Sequence, residues 1–186
     1  MPRPFRLKTH AGFTFVEVLA TIALLTIILG IMVSLARHVR SASANDLTKD
    51  LLRRLEGAMA LYLKKNGDHQ PNLAPFIPDQ PKPGANSLEE STLALSAEIN
   101  NLAIVRLLKA NHVFPADRFE DVPIAYYDGL MVRDAWGSPI VYMSHMNPAV
   151  GMAAKGWFFF SAGPDRKYTT KSDNLYSYEL PSAEAP

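Results

Sequence analysis

The residues best placed to do chemistry in this 186-residue chain lie near its start. Glu17 is a lone carboxylate at the edge of an apolar run, and the nineteen residues 18–36 that follow it carry no charge. An acid just inside a membrane-length apolar helix is costly unless something pairs with it. Gly12 separates a short basic leader, with Arg3, Arg6 and Lys8, from Phe13-Thr14-Phe15-Val16. An ordinary secretory signal is cut after its apolar region, at small residues. Here the glycine precedes that region, so the order is reversed.

Other residues with catalytic potential do not converge. The histidines at 10, 38, 69, 112 and 145 are too scattered to suggest a metal cluster, and His112 and His145 have no motif-placed Ser or Cys partner. Asp117, Glu120 and Asp121 form an acidic cluster that reads as a solvated loop. With no cysteine, neither a disulfide framework nor a thiol enzyme is possible. The chain therefore reads as a non-enzyme.

The junction resembles the N-terminus of type IV prepilins and of type II secretion pseudopilins. The family more often shows Leu-Ile-Glu where this chain has Phe15-Val16-Glu17, a conservative change. The resemblance implies that a membrane prepilin peptidase cuts after Gly12 and methylates the new amine of Phe13, and that Glu17 guides assembly. An α-amine has a reference pKa of about 7.7–8.0 and is largely cationic at neutral pH. It would stand four residues from Glu17 and could pair with it, or with Glu17 of a neighbouring helix. Pairing between chains would fix axial register where an unpaired charge is expensive. Cutting at Gly12 removes three of the 19 Lys and Arg and none of the 18 Asp and Glu, so the formal charge moves from +1 to −2. No basic face is left to suggest nucleic acid.

These residues need a long element to carry them. Residues 13–36 as helix span about 36 Å, against a hydrocarbon core of about 30 Å. Three basic residues precede the run and Arg37 and Arg40 follow it, so charge bias puts the N-terminus in the cytoplasm by a thin margin. Leu47, Leu51, Leu55, Met59 and Tyr62 recur at steps of three or four and extend the helix as an amphipathic stripe. Asn66-Gly67 is its expected stop. Gly30 offers a bend or a close helix approach. Residues 71–83, rich in proline, read as a surface loop, and Ser87 with Glu90 fits a capping box. A second helix over 88–109 is expected as two segments broken near Asn100-Asn101. Ile140–Met143, Trp157–Ser161 and residues 175–180 read as strands, and 124–127 or 130–132 as a short edge. The fold class is α+β: a long N-terminal helix on a small antiparallel sheet. The expected organisation is a leader over 1–12, a membrane and assembly helix over 13–36, its amphipathic half over 37–67, a variable region over 68–133 and a β-region over 134–186.

A second resemblance lies in that β-region. Asp134-Ala135-Trp136-Gly137-Ser138-Pro139-Ile140-Val141-Tyr142 is similar to the Asp-x-Trp-Gly-x-Pro-x-x-Tyr element of the major, G-type pseudopilin. Its physical reading is a packed corner: Gly137 and Pro139 set the turn and Trp136 covers the core edge at the helix stripe. Further on, Ser161-Ala162-Gly163-Pro164-Asp165 and Asp173-Asn174 resemble the segments that form a calcium loop in that family. The resemblance implies calcium on Asp165, Asp173 and Asn174, with carbonyls from Ser172 or Leu175. Arg166 stands where the family has glycine, Asn174 replaces an aspartate, and Lys167 and Lys171 add positive charge.

Together these features imply a structural subunit of a type II secretion-type pseudopilus. Its partners would be further copies of itself, other pseudopilins, the prepilin peptidase and an inner-membrane assembly platform. It would be a single-pass inner-membrane protein with its C-terminal domain in the periplasm, built into a periplasm-spanning filament. The alternatives are a type IV pilin or minor pilin for adhesion, motility or DNA uptake, and a membrane-anchored periplasmic binding protein or enzyme.

Overall fold

The structure is a computed structural model that describes residues 14–73, 76, 90–114, 119–148, 150–151 and 153–179. The element order is helix α1 (Phe15–Lys65), helix α2 (Glu90–Ala110), strands β1 (Val141–Met143), β2 (Phe158–Ser161) and β3 (Leu175–Tyr176), and a 3-10 turn (Ser177–Glu179). Met1–Ala42 and Ser43–Pro186 form two compact units.

In the first unit, α1 starts at Phe15 because Thr14 caps it. The Glu17 amide donates to the Thr14 hydroxyl at 3.3 Å and to its carbonyl at 3.0 Å. No described residue between Thr14 and Ala42 is buried. The segment is long and apolar enough to cross a membrane, with a mean hydropathy of 2.7 over its most apolar window.

In the second unit, α1 becomes one wall of a core. Thr48, Leu51, Leu52, Leu55, Ala58, Met59, Tyr62 and Leu63 are buried, a wider stripe than the spacing predicts. The helix ends at Lys65 through a Schellman closure: the Asp68 amide donates to the Leu63 carbonyl at 2.8 Å, and Gly67 and Asp68 take left-handed φ of 65° and 61°. The expected stop at Asn66-Gly67 is where the helix stops.

The sheet is antiparallel in the order β1-β2-β3, with Tyr142 opposite Phe159 and Phe160 opposite Tyr176. Side chains alternate between faces along a strand. Phe159, Tyr142 and Trp157 therefore pack with Leu55, Met59 and Tyr62 of α1 on one face. Phe158 and Phe160 join Val141, Met143, Tyr168 and Tyr176 in a second cluster on the other. Both faces are covered, which is why the central strand reads Phe-Phe-Phe without polar interruption. The long helix packed against a small antiparallel sheet is the α+β arrangement expected.

Several local expectations need correction. α2 runs unbroken through Asn100 and Asn101, whose side chains bond backbone outside the helix: Asn100 that of β1, and Asn101 that of Val132 and Ile140. Asn100 accepts from the Tyr142 amide at 2.8 Å and donates to the Tyr142 carbonyl at 3.0 Å. Asn101 accepts from the Val132 amide and donates to the Val132 carbonyl, both at 2.9 Å, and also donates to the Ile140 carbonyl. The third strand stops at Tyr176, where the chain turns into the 3-10 segment and the Ser177 hydroxyl takes the Phe159 amide at 3.1 Å. The short edge expected at 124–127 or 130–132 is instead a turn with an isolated bridge, Tyr127 to Val132. Asp128 accepts the amides of Leu130 and Met131, each at 2.9 Å, and closes that turn. The capping-box residue Ser87 lies outside the described residues.

Candidate functional site

Gly12 and Phe13 lie outside the described residues. Glu17 is described, and it occupies the third position of α1. Thr14 and Glu17 match the spacing of a capping box, in which the acid sits in the first turn beside the unpaired amides of the helix start. The helix itself thus favours a carboxylate there. Among the described residues no basic side chain pairs with Glu17. Around it Phe15, Val16, Val18 and Leu19 are exposed, as are Ile22, Leu24, Leu25 and the large apolar residues up to Val39. The site is a bare apolar helix with one acid near its start.

The corner 134–139 is built around a buried carboxylate. One oxygen of Asp134 accepts the amides of Ser138 at 2.8 Å and Trp136 at 3.0 Å, and the other accepts the Ser161 hydroxyl at 2.6 Å. Burial raises its pKa above the usual carboxylate value, against the opposing effect of those bonds. Gly137 takes φ 92°, and the Ala135 amide donates to Thr48 of α1 at 3.1 Å. Trp136 is only half-buried; the tryptophan that meets the α1 stripe is Trp157. The sequence shows Asp134 at the head of the corner but not its buried role, because an acid in a turn looks solvent-facing until Ser161 is brought to it.

The loop 161–175 brings Asp165 to Asp173, with Asn174 next in sequence. Gly163, at φ 69°, lets the two arms meet: a Cβ there would lie 2.1 Å from the Asp173 carbonyl oxygen. The Asp165 amide donates to Asp173 Oδ2 at 3.3 Å, and Asp165 Oδ1 accepts the Lys167 amide at 2.8 Å. Desolvation works against ionisation of Asp165, but the Thr170 hydroxyl, the Lys167 amide and the Lys167 charge outweigh it and hold its pKa below the usual value. Arg166 adopts φ 60°, so the backbone keeps a glycine-like conformation despite the substitution. Asn174 donates to the Tyr168 carbonyl at 3.1 Å. Asp173 Oδ1 and Asn174 Oδ1 are buried and accept no hydrogen bond. Orphaned carboxylate and amide oxygens on neighbouring residues are the donor types a hard cation takes. Among the described residues no group of three or more His, Asp or Glu stands ready to hold a metal, so backbone carbonyls would have to complete such a site. Lys171 is directed away, to the Pro148 carbonyl.

Of the acidic cluster, Asp121 pairs with Arg54 at 3.2 Å, and Asp117 lies outside the described residues. Arg54 also holds Asp50 at 2.7 Å and sits over the Phe119 ring, so this acid docks a loop on α1. His112 is exposed at the end of α2. His145 Nδ1 lies 3.3 Å from the hydroxyl of its sequence neighbour Ser144.

Residues 7–33 match a family model described as the prokaryotic N-terminal methylation motif. No curated protein and no solved structure matches the chain. The motif spans the basic leader's end, Gly12, Glu17 and most of the exposed apolar helix. It supports a type IV pilin-like class, with which the long helix on a small antiparallel sheet is consistent. A motif of this class implies processing by a prepilin peptidase and assembly into a filament.

Proposed function

We propose that the chain is a structural subunit of a type II secretion-type pseudopilus. It is cut after Gly12, N-methylated at Phe13 and polymerised through α1, with Glu17 setting the register. It is anchored in the inner membrane with its C-terminal domain in the periplasm, and it acts by packing rather than by catalysis. The observation that carries this reading is the fully exposed apolar stretch of α1 with its one acid in the first turn, inside the matched methylation motif. Lack of cysteine and the Asp134-Trp136-Gly137 corner favour the secretion branch over adhesive pilins.

Mass spectrometry of the native protein's N-terminus tests the processing. A chain beginning at methylated Phe13 is expected; one beginning at Met1 would overturn the reading in favour of a plain membrane anchor. Loss of secretion with intact surface motility in a deletion strain is the outcome expected for a pseudopilin, and the reverse would assign the chain to a pilus.

Within the same reading, Asp165, Asp173 and Asn174 hold calcium. Melting the full chain in detergent with and without millimolar calcium tests this. A rise of several degrees, lost in Asp173→Ala, is expected; identical melting curves would remove calcium from the function.

A further inference from the structure

The turn of α1 that follows the apolar run has a chemistry of its own. Arg37, His38 and Arg40 are all exposed. Among the described residues no acid pairs with any of them. No acid lies within helical reach either: the nearest are Glu17, one membrane span earlier, and Asp46, six residues beyond Arg40.

The helix sorts this turn into two faces. Taking Arg37 as reference and about 100° per residue, Arg40 lies about 60° to one side, with Ser41 about 40° and Ser34 about 60° to the other. His38 follows at about 100°, while Leu35, Val39 and Ala42 occupy the opposite arc at about 140–200°. The two guanidiniums and two hydroxyls therefore share one arc, and the aliphatic side chains share the other. Axially, Arg37 and Arg40 stand about 33 and 37 Å beyond Phe15, past a hydrocarbon core of about 30 Å and within the headgroup layer.

If the segment spans the membrane with its N-terminus inside, these arginines lie on the side where positive charge is disfavoured. Something anionic at headgroup depth would offset that. A guanidinium binds a phosphate bidentately, and serine hydroxyls add donors. We propose that Arg37 and Arg40, with Ser34 and Ser41, form a binding face for the phosphate headgroup of an anionic phospholipid in the distal leaflet. This rests on the membrane-spanning reading of α1. The bound lipid fixes the depth of the subunit before it enters a filament, and releasing it is part of the work of extraction.

Electron spin resonance with the full chain in vesicles tests the face. Spin-labelled phosphatidylglycerol and spin-labelled phosphatidylcholine each report the fraction of lipid immobilised at the protein. Each basic side chain at an anionic surface is worth about fivefold in association. A severalfold preference for phosphatidylglycerol is expected in the natural chain, falling to near parity in R37Q/R40Q and persisting in the Lys64→Gln control. Equal immobilisation of both lipids, or a preference that the double substitution leaves unchanged, would overturn the proposal alone. No immobilised lipid of either kind would overturn the membrane span, and the proposal with it.

Discussion

At the scale of single residues, two acids that look alike in sequence are held by opposite means. Glu17 is exposed in the first turn of a helix that Thr14 caps. Replacing it by alanine leaves the cleavage residue Gly12 in place, so processing is expected to continue while filament assembly fails. Immunoblots for the processed form and sheared-filament yields check this; normal filaments would refute the registering role. Asp134 is buried and accepts three hydrogen bonds. Asp134→Ala leaves those donors unsatisfied, and a cost of about 2–4 kcal/mol in urea unfolding is expected. The pH dependence has a definite sign. A carboxyl whose folded pKa is raised binds more protons folded than unfolded, so its contribution to stability is greatest at low pH and declines as pH rises from about 3.8 through its folded value. Asp134→Asn cannot ionise, so its deficit against the natural chain is expected to shrink as pH rises through that window. A constant difference across the titration would contradict the raised pKa.

At the scale of elements, the least foreseeable device is the pair Asn100 and Asn101. β1 is an edge strand, and an open edge exposes backbone groups to unwanted pairing. α2 runs past that edge. It places Leu93 and Ala97 in one core and Ile104, Val105 and Leu108 in the other. The two asparagines sit at the crossing and complete the hydrogen bonding of Tyr142, Val132 and Ile140. Asn101→Ala would orphan two buried backbone groups, the Val132 amide and the Ile140 carbonyl, since the Val132 carbonyl keeps the Ile140 amide, and a loss of about 2–3 kcal/mol is expected. Ile99→Ala, at an exposed position two residues away, is expected to change stability by less than about 0.5 kcal/mol. Chemical denaturation of the two variants separates these outcomes. In sequence, adjacent asparagines in a helix suggest a break, because their side chains compete for local backbone. Only the strand beside them changes that reading.

At the scale of the whole molecule, the chain divides into a unit with no buried residues among those described and a unit with its own core on both faces of a sheet. The core residues Leu51 to Tyr176 all belong to the second unit. A fragment beginning at Ser43 is therefore expected to unfold cooperatively and to remain soluble without detergent. Circular dichroism melting and sedimentation check this; a non-cooperative transition would mean that the core needs the earlier helix. The large apolar side chains from Phe15 to Val39 are exposed, and in the proposed function lipid and other subunits cover them.

Much of this organisation is written in local pattern. The apolar run, the acid at its head, the heptad-like stripe and the Asn66-Gly67 stop depend on neighbours three or four residues apart. The short aromatic and β-branched strands, bounded by glycine and proline, are equally local. These short-range rules act within one element, and the long helix and the small sheet follow from them, as does the motif that carries the functional reading. Contacts over long sequence separations are another matter. Ser161 reaching Asp134, Asn101 reaching Val132 and Ile140, Gly163 closing on Asp173, and Trp157 rather than Trp136 facing α1 were decided only by tertiary structure. Each depends on which backbone groups lose water when the elements pack, and that burial is a property of the assembled fold rather than of any stretch of chain.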